Sequence, residues 1–302
     1  MSSSIVYIFI LSLIISSFEV NAQKKAFDQA AENKKRLAFE NTLDSLFLKE
    51  KFERIIDLCN RQHPDYLQPA CDFNLIGTYY FLGDSAACWK LLNKEIAEYS
   101  KGDADAYALS NLLSKDYTSY RKFLQNSTAK NYILSKIDSI YLTEPVSDKE
   151  NGIKLLHLLI EDQWVRNTSS LYDHFKPERR HLLPSQMDST QAIQAQRDHS
   201  TSVFNFYRTR NKVFSKAEVG RIYYWQLSLF FHEWDLARRN FYHELVKQGV
   251  ENGILSIENQ ANFEVGTEYI IMGVDDFFKH REEIQEKYRK KYSLPNYRIR
   301  LM

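Results

Sequence analysis

Hydrophobic positions along the chain follow three different patterns. Ile5 to Ile15 is an unbroken apolar run apart from Ser12. At helical rise it covers about 16 Å, roughly half the hydrocarbon thickness of a bilayer. Between residues 40 and 142 apolar residues recur at helical spacing in short blocks separated by polar turns. Beyond residue 145 the blocks lengthen. Leu155, Leu156, Leu158, Leu159 and Ile160 make a helix over about Asp148 to Arg166 apolar around much of its circumference. Ser215 with Glu218 three positions on has capping-box spacing and predicts a helix start. The stretch from Ile222 to Leu236 is apolar on all sides, which predicts one central buried helix ended by Gly249 and Gly253. Asp275 to Tyr292 alternates in charge and predicts a solvated outer helix.

These patterns predict an all-α protein with three segments. The apolar run is followed by Val20-Asn21-Ala22 before Gln23. Short residues at those positions suit a signal peptidase, so residues 1–22 read as a signal peptide cleaved after Ala22 and the product as secreted or periplasmic. No stable membrane span is expected after that cleavage. Pro145-Val146-Ser147-Asp148 reads as a helix stop and restart. It places helical hairpins in 23–145 and a helical bundle in 146–302.

Composition narrows the function classes. Forty Lys and Arg against 39 Asp and Glu give a net charge of +1. That balance disfavours nucleic acid as a partner, because phosphate binding needs a basic surface. Cys59, Cys71 and Cys88 are the three cysteines, all within one 30-residue window. Three cysteines allow one bridge at most, and Cys59–Cys71 is the leading pairing; the other reading makes all three small apolar fillers between helices. A zinc site would need a fourth ligand, and only His63 is near, so no metal is expected. There is no GxGxxG, GxxxxGK, HExxH, CxxC or GxSxG, and no cofactor is expected.

Self-comparison aligns residues 50–59 with 83–92 at an offset of 33, and a related pattern returns 32 residues further on at Asp116 to Leu124. A period near 33 suits one helix–turn–helix unit, which must stack on a neighbour to bury its apolar face. In the middle unit Leu75, Ile76, Tyr79, Tyr80, Gly83, Asp84, Cys88, Leu92 and Ile96 carry a spacing that resembles the tetratricopeptide repeat. Cys88 stands where that family prefers Ala, Glu95 stands at a usually small site, and the flanking units lack the Gly. The resemblance implies stacked hairpins with a groove for a protein or peptide partner.

Two places could carry chemistry. Asp162 follows Leu158 by four residues and Leu155 by seven, so it projects from an apolar face, and Arg166 one turn on can pair with it. The same pair also reads as a helix-end ion pair that fixes packing. His232 lies among Phe and Trp residues three positions before Asp235. Burial would favour its neutral form, which suits a base; a core His with satisfied hydrogen bonds is the alternative. Around these residues the chain resembles an uncharacterised family of bacterial domains, through Asp162-Gln163 with Arg166, Val219-Gly220, His232 with Asp235, and Gly266-Thr267-Glu268. Val265 and Glu268 depart from the family's Tyr and Gln. Two functions are compatible with these features. One is an exported non-enzymatic scaffold that binds a protein in a repeat groove. The other is a hydrolase or small-ligand pocket, with Asp162 and His232 catalytic and Gln163, Arg166, Asp235 and Glu268 binding.

Overall fold

A computed structural model describes residues 29–61, 63–100, 106–113, 115, 117–168 and 189–299, of which 107–108, 166–168, 189–192 and 274 are described by backbone alone. The expected signal peptide, residues 1–22, lies outside these residues, as do Pro177 and Pro184. Among the described residues every regular element is a helix, as the sequence pattern predicts. None is long and apolar enough to cross a membrane.

The helices are α1 (29–48), α2 (Phe52–Cys59), α3 (Gln68–Phe81), α4 (Ser85–Tyr99), α5 (Ala106–Ser110), α6 (Thr118–Leu124), α7 (Ser127–Tyr141) and α8 (Lys149–Thr168). After them come α9 (Ser189–Arg210), α10 (Lys216–Val219), α11 (Gln226–Phe231), α12 (Leu236–Glu251), α13 (Ile257–Met272), α14 (Val274–Lys279) and α15 (Arg281–Tyr292). They form two compact units that interleave along the chain. One takes the described residues up to Glu95 and Lys115–Asn126; the other takes Ile96–Ser114 and the rest from Ser127 onward. A single cut after Pro145 therefore does not separate them. The reason lies in pairings distant in sequence: the Tyr141 hydroxyl donates to the Val219 carbonyl at 3.0 Å, and Glu144 accepts from the Ala106 amide at 3.3 Å.

In the first unit α3 is buried almost all round, from Ala70 through Thr78. Leu43, Phe47, Ile55, Cys59, Ala70, Cys71 and Leu75 form one core across α1, α2 and α3. On another side of α3, α6 crosses so closely that a Cβ on Gly77 would sit 2.3 Å from the Ser119 carbonyl carbon. Ser119 secures that crossing by donating to Asn74 Oδ1 at 2.8 Å, while Asp44 accepts from the Thr118 amide at 3.2 Å where α6 begins. Gly83 ends the α3 segment with a φ of 78°, a left-handed turn that a residue without a Cβ takes freely.

The second unit is built around aromatic rings. Phe230 stacks on Tyr242 with centroids 4.4 Å apart, and Tyr207 meets Phe230 edge-on at 4.6 Å. Buried Gln226 ties α11 to the preceding chain by accepting from the Phe214 amide and donating to its carbonyl, at 2.9 and 2.7 Å. The capping box at Ser215 and Glu218 is present. The chain beyond that box is not one long helix. Gly220, at φ 69°, ends α10; a short 3-10 turn leads into α11; and the chain breaks again at His232. The all-round apolar pattern therefore reflects short pieces aimed in different directions, and Tyr224, Trp225, Trp234 and Leu236 are exposed. Gly249 lies inside α12, packed on Val213 and Leu255, and the expected outer helix is the pair α14 and α15, with Phe277, Ile284 and Tyr288 buried.

The close crossing gives a direct stability test. Gly77→Ala should cost about 3 kcal/mol by overpacking against backbone, whereas Gly83→Ala should cost only about 1 kcal/mol from its positive φ. Urea denaturation of the two variants measures the difference, and equal losses would contradict the close contact.

Candidate functional site

The site grows from Asp162, in the second unit. Its place on α8, one and two turns after Leu158 and Leu155, puts the carboxylate inside, with 3% of the residue exposed. A buried carboxylate must be paired or strongly hydrogen-bonded to remain charged. His232 Nδ1 lies 3.2 Å from Asp162 Oδ1, and His199 Nε2 on α9 lies 3.7 Å from the same oxygen. Gln163 Nε2 donates to the other oxygen, Oδ2, at 3.4 Å. Three helical segments thus converge on one carboxylate.

A second polar group adjoins the first. Glu233 is buried, and its Oε2 accepts from the Ser200 hydroxyl at 2.6 Å. Arg238 Nη1 donates to the same Ser200 oxygen at 2.8 Å, and the Asp235 amide donates to Glu233 Oε1 at 2.9 Å. Asp162, Ser200, His232 and Glu233 line a small internal cavity of about 20 Å³, large enough for one water molecule. On the other side of Val165 and His199 a groove of about 890 Å³ opens, flanked by Lys154, Asp198, Phe206 and Arg210. Val165 and His199 belong to the walls of both spaces.

The turn that carries His232 is fixed by a buried arginine. Arg239 is 1% exposed, and its Nη1 donates to the carbonyls of Phe230, Phe231 and Glu233 at 3.4, 3.2 and 2.9 Å. Its Nη2 reaches the Phe263 carbonyl at 3.3 Å, and Nε donates to Thr267 Oγ1 at 3.0 Å. Burial pushes its pKa down to about 10, partly countered by Glu233, so it remains a cation at neutral pH. The Phe231 and Glu233 carbonyls, at the end of α11 and in the turn after it, are what a charged donor can satisfy. Gly266 leaves room for it: a Cβ there would stand 3.2 Å from Nη2 and 3.3 Å from the Phe231 ring. The Gly266-Thr267 pair found in the sequence is therefore a seat for Arg239.

Several sequence expectations change here. Asp235 does not pair with His232; it accepts from the amides of Ala237 and Arg238 and caps α12. Glu268 bonds Lys287 and the Tyr288 hydroxyl, holding α13 to α15, and does not line either space. The Arg166 side chain lies outside the described residues. His232 ends a short helix with a side chain 20% exposed, rather than sitting mid-helix in the core. Sequence reasoning missed His199, Ser200, Glu233 and Arg239. A signal for His199 was present: with Val203, Phe206 and Tyr207 it follows helical spacing, and all three of those residues are buried.

Among the described residues no group of three or more His, Cys, Asp or Glu side chains could hold a metal ion. No family model matches the chain, nor does any curated protein or solved structure.

The arginine seat yields a measurable consequence. Thr267→Val removes the acceptor of a buried guanidinium N–H and should destabilise the fold by about 1–3 kcal/mol, while Thr267→Ser should restore most of it. Denaturant melts of both variants decide this, and a neutral Thr267→Val would contradict the seat.

Proposed function

We propose that the second unit is a small-ligand-binding module whose groove leads to a proton-transferring Asp–His pair. The observation that carries this reading is the shared wall: His199 borders the groove and also approaches Asp162, which in turn holds His232. A groove of this volume is within the range of small-molecule sites. Its rim mixes cations and carboxylates, Lys154 and Arg210 with Glu161 and Asp198, around apolar Leu158 and Phe206. Such a lining suits a polar ligand with an apolar part rather than a simple anion. With Nδ1 held by Asp162, a neutral His232 carries its basic lone pair on Nε2, the arrangement a general base uses. Hydrolysis is one reaction such a base could serve.

The test is a thermal-shift screen of the full-length protein against small polar metabolites, followed by the same ligands on Ser202→Trp. Ser202 is an exposed groove residue, so a Trp there should fill the groove with little effect on Tm. Ligands that raise the wild-type Tm by several degrees and lose that effect in Ser202→Trp support the reading. Ligands that stabilise both proteins alike would overturn it.

A second reading, the exported partner-binding scaffold, rests on a different observation. At one end of the first unit Leu48, Phe81 and Leu82 are 38%, 43% and 43% exposed, beside the contact of Phe47 with Phe81. Neighbouring exposed apolar residues suit a protein or peptide partner. The double substitution Phe81→Ser with Leu82→Ser should abolish binding of that partner and leave the melting profile intact; retained binding would remove this surface from consideration.

A further inference from the structure

The two walls of the groove, α8 and α9, run antiparallel. Arg210, the last residue of α9, donates from Nε to Asn151 Oδ1 at 2.6 Å near the start of α8, while His199 meets Asp162 further along α8. Most charges on the rim are already matched by a neighbour: Lys154 bonds Glu150, Glu161 lies 3.6 Å from Lys130, and His157 lies 2.7 Å from Asp138. Two rim charges are not. Arg210 forms no ion pair with a described carboxylate, since nearby Glu150 is bonded to Lys154. The Asp198 carboxylate accepts from the neutral Gln194 amide at 2.8 Å and likewise forms no ion pair with a described cation. One positive and one negative charge are thus left open toward opposite ends of the groove.

Arg210 is also held ready. Its Nη1 donates to the Phe206 carbonyl at 3.2 Å, and the guanidinium lies over the Phe206 ring, 4.2 Å from the centroid. A fork fixed in this way binds a carboxylate with little further loss of freedom. Because it lies over Phe206, the guanidinium stands one turn back along α9, level with a residue eight positions beyond Asp198. At helical rise the two charges are about 12 Å apart along the groove. An extended peptide advances about 3.3–3.6 Å per residue, so three or four residues cover that span. Leu158 and Phe206 offer apolar contact on the way. Resting on the reading of this groove as a ligand site, we propose that its ligand is a short peptide of three or four residues with both ends free. Its terminal carboxylate is held by Arg210 and its terminal ammonium by Asp198. A single amino acid is too short to reach both, and an internal segment of a protein carries neither charge. His199 follows Asp198, so the amino-terminal end of the peptide lies nearest the wall shared with the Asp162 cavity.

Native mass spectrometry of the full chain, mixed with random-sequence peptides of two to six residues in free, carboxyl-amidated and amino-acetylated forms, tests this. Free peptides of three and four residues should give the highest occupancy, and blocking either end should lower it about tenfold. Arg210→Gln should bind free and amidated peptides alike. Asp198→Asn, a change at an exposed residue, should bind free and acetylated peptides alike. Absence of peptide binding, or equal occupancy by free and blocked peptides in the wild type, would overturn the proposal. The groove reading survives either result as long as the ligands that stabilise the wild type lose their effect in Ser202→Trp. Peptides bound equally by the wild type and Ser202→Trp would overturn both.

Discussion

A guanidinium sealed from water must find acceptors for its donors or lose a large solvation energy, and in this protein that requirement shapes the second unit. Arg239 meets it with carbonyls at the end of α11 and in the turn after it, a carbonyl of α13 and the hydroxyl of Thr267. These acceptors belong to three different segments. The same contacts that keep the cation satisfied therefore hold the end of α11, the start of α12 and the middle of α13 in one arrangement. Tight packing around Phe263, whose ring lies 4.6 Å from the guanidinium, closes the seat.

From that fixed turn the polar site is built outward. His232 and Glu233 are consecutive and leave the turn toward two different partners, Asp162 on α8 and Ser200 on α9. His199 precedes Ser200, so α9 supplies one residue to each partner group. Two buried carboxylates are thereby held apart, each with its own donors. The groove reaches this arrangement through His199 and Val165, which places a titratable ring between an open space and an enclosed one. Acid–base chemistry and selective binding both use this kind of placement.

Some of this was legible in the amino-acid sequence because it depends on local spacing. The inward position of Asp162 follows from Leu155 and Leu158, and the start of α10 from Ser215 and Glu218. The helical class followed from period and composition. The rest depends on contacts that span long stretches of chain. Tyr141 meets Val219 across 78 positions and Asp162 meets His232 across 70, so neither the interleaving of the two units nor the true partner of His232 had a local signature. A separation of three residues, a helical spacing, points from His232 to Asp235 in the sequence. A helix break between them turned that Asp into a cap instead. Uniform hydrophobicity from Ile222 to Leu236 concealed two breaks, since periodicity alone does not distinguish one buried helix from short segments with different buried faces.

Arg239 sets the turn that delivers His232 to Asp162, and nitrogen-15 NMR of the histidine rings in the full chain, compared with Arg239→Met, tests that role. In the wild type, a slowly exchanging Nδ1 proton is expected on His232 and should disappear in Asp162→Asn. The same proton should be lost in Arg239→Met while the α8 and α9 amide resonances persist. A His232 Nδ1 proton equally protected in Arg239→Met would show that the arginine does not position the ring.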